Sequence, residues 1–156
     1  MTQKQYFMAA ALGSAALMLG ALAFQHIGGM APCKLCIWQR YPHVVAIVLG
    51  ALALSFENAW LRTGIILAGA LSAATTAVIG VYHAGVEQDI FEGPTSCTAS
   101  AIDNVSADDL LAQIMAAPLV RCDDIPWQLA GISMAGWNAI VSIVLCGLWL
   151  MALKRR

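Results

Sequence analysis

Charge is scarce in this chain. Its 156 residues carry eight Lys and Arg and nine Asp and Glu, 11% in all, against the ~25% usual of soluble domains. The net charge is −1. There is no basic stripe and no interleaving of aromatic with basic residues, which excludes a nucleic-acid surface. No Gly-x-Gly-x-x-Gly stretch and no haem or flavin motif occurs, so nothing points to a dinucleotide or a built-in redox group. No internal repeat is found. What the chain has instead is apolar residues, 60% of the total, and a mean hydropathy of +0.75, where a soluble domain would hold ~45–50%. These values describe a small integral membrane protein.

The few charges divide the chain into four apolar runs. About 20 residues cross a bilayer core, and spans are expected at about 6–28, 36–56, 63–83 and 132–153. The first run is longer than the ~7–15-residue apolar stretch of a secretory signal and is read as a span. Gly28, Gly29 and Pro32 end it. The third carries Gly69, Ala70, Ala73 and Ala74, small residues at a spacing that lets membrane helices approach closely. The fold class is an all-α membrane protein, a four-helix bundle forming one domain over 1–156, with extramembrane loops at 29–35 and 84–131. The long loop is acidic, with Arg121 as its one base, and is broken by Pro94, Pro118 and Pro126. Within it, 106–115 reads as a short amphipathic helix. Ser106 is placed to cap it, with Asp109 three residues on, and Leu110, Leu111, Ile114 and Met115 form one face. Trp127, Trp137 and Trp149 are expected in the headgroup layers.

Four spans put both termini on one side. Lys4, Arg62, Lys154, Arg155 and Arg156 lie there, against Lys34, Arg40 and Arg121 opposite. The excess of positive charge makes the termini side cytoplasmic. Four of the five cysteines then fall on the far side, where disulfides persist. Cys33 and Cys36 form a Cys-x-x-Cys pair in the first gap, and Cys97 and Cys122 lie in the long loop. Cys146 sits inside the fourth span, where a cysteine behaves as a small apolar side chain.

The Cys-x-x-Cys pair can be a redox dithiol, a metal half-site or half of a structural bridge. Arg40 bears on the choice. In a helix starting near Cys36, it stands one turn further along the same face, and a fixed cation there stabilises a thiolate. A charge inside a span is functional by default. A bridge across two intervening residues constrains the chain little, so its value is chemical. A metal site would draw its other ligands from His26, His43 and His83. Cys97 and Cys122 can be a staple for the loop, restricting the unfolded chain by ~3 kcal/mol, or a second redox pair exchanging with the first. A two-electron acceptor at a membrane interface beside an arginine is naturally lipid-soluble, and a quinone fits.

The run Pro32, Cys33, Leu35, Cys36, Gln39, Arg40, Tyr41, Pro42 resembles the signature of the DsbB disulfide-bond formation proteins of bacterial inner membranes. Phe24-Gln25-His26 is similar to the end of that family's first span. Tyr82, His83, Gly85 and Glu87, then Gly93-Pro94 before Cys97, are similar to the start of its second periplasmic loop. Cys122-Asp123, Trp127 and Gly131 to Met134 are similar to the loop's end. The resemblance covers nearly the whole chain. It implies a protein-disulfide:quinone oxidoreductase that reoxidises a periplasmic, thioredoxin-fold, DsbA-like thiol oxidase and reduces ubiquinone or menaquinone. It also implies the roles. Cys97 forms the mixed disulfide with the partner, Cys122 exchanges with Cys33, and Cys36 faces the quinone beside Arg40. His83 falls at a position near the quinone, and 106–115 corresponds to a membrane-associated helix. Mobility of the loop is expected to carry Cys122 to Cys33. Two other readings stand beside this one: an oxidase dedicated to a single partner, and a non-enzymatic membrane metal-binding or assembly protein.

Overall fold

A computed structural model describes residues 1–94 and 120–155. Cys97 and the expected helix at 106–115 lie outside the described residues. Four helices are long and apolar enough to cross a membrane: α1 (Gln3–His26), α2 (Lys34–Ser55), α3 (Ala59–Glu87) and α4 (Met134–Lys154). A two-residue hairpin, β1 (Gln128–Leu129) and β2 (Ile132–Ser133), precedes α4. The chain is a four-helix membrane bundle. Each helix packs on its neighbours in the order α1, α2, α3, α4 and back to α1.

Local chemistry sets the helix ends. Thr2 and Gln5 cap α1 reciprocally, side chain to backbone in both directions. Gly29, at φ +68°, takes the chain out of α1 in a conformation that suits glycine. Asn58 caps α3 by accepting from the amides of Trp60 and Leu61. Arg62 reaches back to the carbonyl of Phe56, so α3 takes in residues that the charge of Arg62 assigns to a polar connection. The hairpin turns through Ala130 and Gly131, both at positive φ (53° and 77°), the geometry of a tight two-residue turn.

The bundle is apolar outside and partly polar inside. Leu12, Leu19, Leu71, Val78, Ile143 and Val144 are exposed, while Gln39, His43, Thr76 and Ser142 are buried. That inversion suits a lipid surround, since a buried polar group needs partners and a lipid-facing apolar one does not. The termini half of the core is packed on Trp149. It is fully buried, stacks on Phe7 with ring centroids 6.3 Å apart, and lies against Gly69. This corrects the placement of Trp149 in a headgroup layer: its ring turns inward because Gly69 and Gly50 leave room for it. Gln3 donates to the carbonyl of Ala152 at 3.1 Å, which ties the two termini together at this end.

Candidate functional site

The opposite end of the bundle holds the thiols. Helix α2 begins at Lys34, two residues earlier than the apolar run alone indicates, because Cys33 caps it. The Cys33 sulfur accepts from the amide of Cys36 at 3.2 Å. Its own thiol donates to the Cys36 sulfur at 2.7 Å. That bond first, and burial second, push the Cys33 thiol up. Cys33 is buried and Cys36 half-buried, and both are free thiols.

Cys122 is disulfide-bonded and 1% exposed. It belongs to the same small buried cluster as Cys33, Leu35 and Val86. The expected approach of the loop to Cys33 is therefore already made at Cys122. Beside it, Arg121 pairs with Asp123 on the surface and holds that carboxyl below the usual range.

A cavity of about 430 Å³ opens beside the pair. Cys33, Cys36, Arg40 and His83 all line it, and its inner wall runs along Ala16, Leu17 and Gly20 of α1. The Arg40 guanidinium donates to Gln25 Oε1 at 2.6 Å. Among the described residues no carboxylate pairs with it. Its charge is anchored by a neutral amide in a largely apolar cavity, so an anion or a developing oxyanion is favoured there.

Behind the cavity a chain of polar side chains crosses the bundle between α2 and α4, which lie diagonally across it. Gln39 meets His83 Nδ1 at 2.7 Å, Asn138 donates to Gln39 Oε1 at 2.6 Å, and His43 Nε2 lies 2.9 Å from Asn138 Oδ1. Thr76 donates to the backbone carbonyl of Gln39 at 3.1 Å and accepts from Asn138 at 3.2 Å. On the other side of His83, its Nε2 stands 3.5 Å from the Cys33 sulfur and 3.9 Å from Glu87 Oε1. Glu87 is held by the hydroxyl of Ser133, the same hydroxyl that caps α4 by accepting from Gly136.

Cys33, Cys36, Cys122, Arg40 and His83 are thus brought to one place. Cys146 is apart from them, a free thiol half-buried against the termini-side core. Cys33, Cys36 and His83 present three soft ligand atoms within 4.8 Å of one another. Zinc–thiolate bonds of ~2.3 Å in tetrahedral geometry hold two sulfurs about 3.8 Å apart, whereas these lie at 2.7 Å. The short separation places the two sulfurs for exchange with each other. His26, the other outlying candidate ligand, is exposed and outside the cavity wall. Asn138, Thr76 and Ser133 were not legible as site residues: each is an ordinary small polar residue, and only the packing of α4 against α3 brings them inward. Polarity in the middle of apolar runs was their one signal.

Residues 3–152 match the family model described as Disulfide bond formation protein DsbB. The chain is similar to Disulfide bond formation protein B 2 of Pseudomonas aeruginosa strain PAO1, 29% identical over 153 residues, which cover 94% of this chain and 88% of that protein. It is likewise similar to Disulfide bond formation protein B of Polaromonas sp. strain JS666, 30% identical over 148 residues, 90% of this chain and 85% of that protein. The protein of the same name from Pasteurella multocida is 29% identical over 136 residues, 83% of this chain and 75% of its own length.

Proposed function

Because the chain belongs to the DsbB family, disulfide-forming oxidoreductases of the membrane, we propose that it reoxidises a DsbA-like, thioredoxin-fold thiol oxidase and passes the electrons to ubiquinone or menaquinone. The site then faces the periplasm across a bacterial inner membrane. Both termini are cytoplasmic, in keeping with Lys4, Arg62, Lys154 and Arg155 at that end.

In this reading the partner's dithiol reduces a Cys97–Cys122 disulfide, and the partner leaves oxidised. A thiolate on Cys122 attacks the Cys33 sulfur of a Cys33–Cys36 disulfide. The Cys33–Cys122 bond forms as the Cys33–Cys36 bond breaks, and Cys36 takes the electron pair. Cys97 attacks Cys122 in turn, and Cys33 leaves as the thiolate. The packing of Cys122 against Cys33 supports the first exchange. A bound quinone supplies an acceptor for two electrons and two protons. The cavity suits such a ring: it is largely apolar, and Cys36 and Arg40 share its wall. Arg40, held by Gln25, stabilises the negative charge that collects there.

The observation that carries the reading is the joining of Cys36 and Arg40 in one largely apolar cavity. Arg40→Ala is expected to raise the KM for a soluble ubiquinone analogue about tenfold or more, the worth of a hydrogen bond to a charged group. Arg40→Lys falls between, since a hydrated point charge replaces a planar fork. Gln25→Leu has a smaller effect of the same sign. Quinone absorbance during turnover reads all three, and unchanged kinetics in both Arg40 variants would remove Arg40 from the site.

A further inference from the structure

The hydrogen bonds behind the cavity have a direction, and backbone carbonyls set it, since a carbonyl can only accept. Gln39 Nε2 donates to the carbonyl of Leu35 at 3.3 Å, which fixes that end of the amide as the nitrogen. The same nitrogen lies 2.7 Å from His83 Nδ1, so Nδ1 must accept. Gln39 Oε1 accepts from Asn138 Nδ2, and Asn138 Oδ1 is thereby turned to His43 Nε2. Thr76 agrees at a second anchor: its hydroxyl hydrogen goes to the carbonyl of Gln39, leaving its oxygen to accept from Asn138. With Nδ1 accepting, the proton of a neutral His83 resides on Nε2. That nitrogen faces the Cys33 sulfur at 3.5 Å and the Glu87 carboxylate at 3.9 Å.

We propose that Gln39 and Asn138 are positioning residues that lock His83 in its Nε2–H tautomer, so that His83 meets the Cys33 sulfur as a hydrogen-bond donor and cannot take its proton. The proposal rests on the thiol-exchange reading for its consequence. When the Cys33–Cys122 bond breaks and Cys33 carries off the electron pair, two donors meet the new thiolate, the Cys36 amide and the His83 ring. Its eventual proton comes from elsewhere. Besides Cys33 and Gln39, the groups facing His83 among the described residues are Cys36, whose sulfur lies within 4.8 Å, Glu87 on its own helix, and Ser133 behind Glu87.

The test reads the tautomer directly. The full-length chain, labelled with ¹⁵N-histidine in lipid nanodiscs, gives imidazole nitrogen shifts, and His83→Gln identifies which signals belong to His83. The expected result is a protonated Nε2 and a bare Nδ1. In Gln39→Glu the new carboxylate accepts from Nδ1, and the proton moves there. Gln39→Leu leaves a mixture of tautomers. In a Cys36→Ala background, alkylation of Cys33 at neutral pH quickens about tenfold in Gln39→Glu, because the bare Nε2 now takes the Cys33 proton while the new carboxylate holds the Nδ1–H. A wild-type His83 protonated on Nδ1, or a Gln39→Glu spectrum without a tautomer change, overturns the proposal. Neither readout involves quinone or partner, so a failure of the lock is distinguishable from a failure of the oxidase reading.

Discussion

Cys36→Ala is expected to reduce sustained oxidation of a thioredoxin-fold partner to the uncatalysed rate while sparing one equivalent of it. Two sulfurs 2.7 Å apart at a helix mouth have different surroundings: Cys33 lies in a buried cluster with Cys122, and Cys36 opens on the cavity with Arg40. With Cys36 gone there is no Cys33–Cys36 disulfide for Cys122 to attack, so electrons stop in the loop pair. A Cys97–Cys122 disulfide can still oxidise the partner once. Mixing excess reduced partner with the variant and counting partner disulfides on a non-reducing gel should give about one per molecule, with no change in quinone absorbance. Cys97→Ala should give none. Repeated turnover in Cys36→Ala would sink the relay.

Trp149→Ala carries the largest expected cost to stability. The side chain is fully buried, and its removal leaves a cavity between Phe7, Gly50 and Gly69 that close-packed helices cannot refill. In lipid the gain from leaving water is small, so lost packing dominates, and a cost of about 3 kcal/mol is expected, the low end for Trp→Ala in cores. A Cβ added at Gly69 would stand 2.7 Å from three atoms of the indole ring. Gly69→Ala alone is therefore expected to cost about 1–3 kcal/mol by overpacking. In a Trp149→Leu background, where the ring is absent, it should cost almost nothing. Unfolding in a graded detergent titration measures the four corners of this cycle, and additive effects would show that the two residues do not meet.

Much of this was open to a reader of the sequence, and the physics explains which parts. Four spans follow from composition, because a bilayer demands long uncharged runs and tolerates little else. Cys33, Cys36 and Arg40 are legible because their spacing is short and falls on one helix. Trp149 was misplaced because aromatic rings near span ends are ambiguous: the same side chain suits an interface or a pocket, and Gly69, eighty residues earlier in the chain, decides. Arg62 suggested a connection where α3 already runs, because a charge reads as loop until its partner, the Phe56 carbonyl, is known. The polar chain from His43 to His83 joins residues 44 to 99 positions apart, and no local pattern announces such pairs.

The cavity reaches far along α1. Ala16 lies ten residues before the end of that helix, about 15 Å along its axis, half the depth of a ~30 Å hydrocarbon layer. In the proposed reading a quinone entering there comes from among the acyl chains, so the membrane is its solvent and its concentration is counted per lipid. At a fixed amount of quinone, added empty lipid should slow turnover by dilution, while a larger volume of buffer around the same vesicles should leave it unchanged. The enzyme's working affinity then becomes a property of the bilayer as much as of the chain.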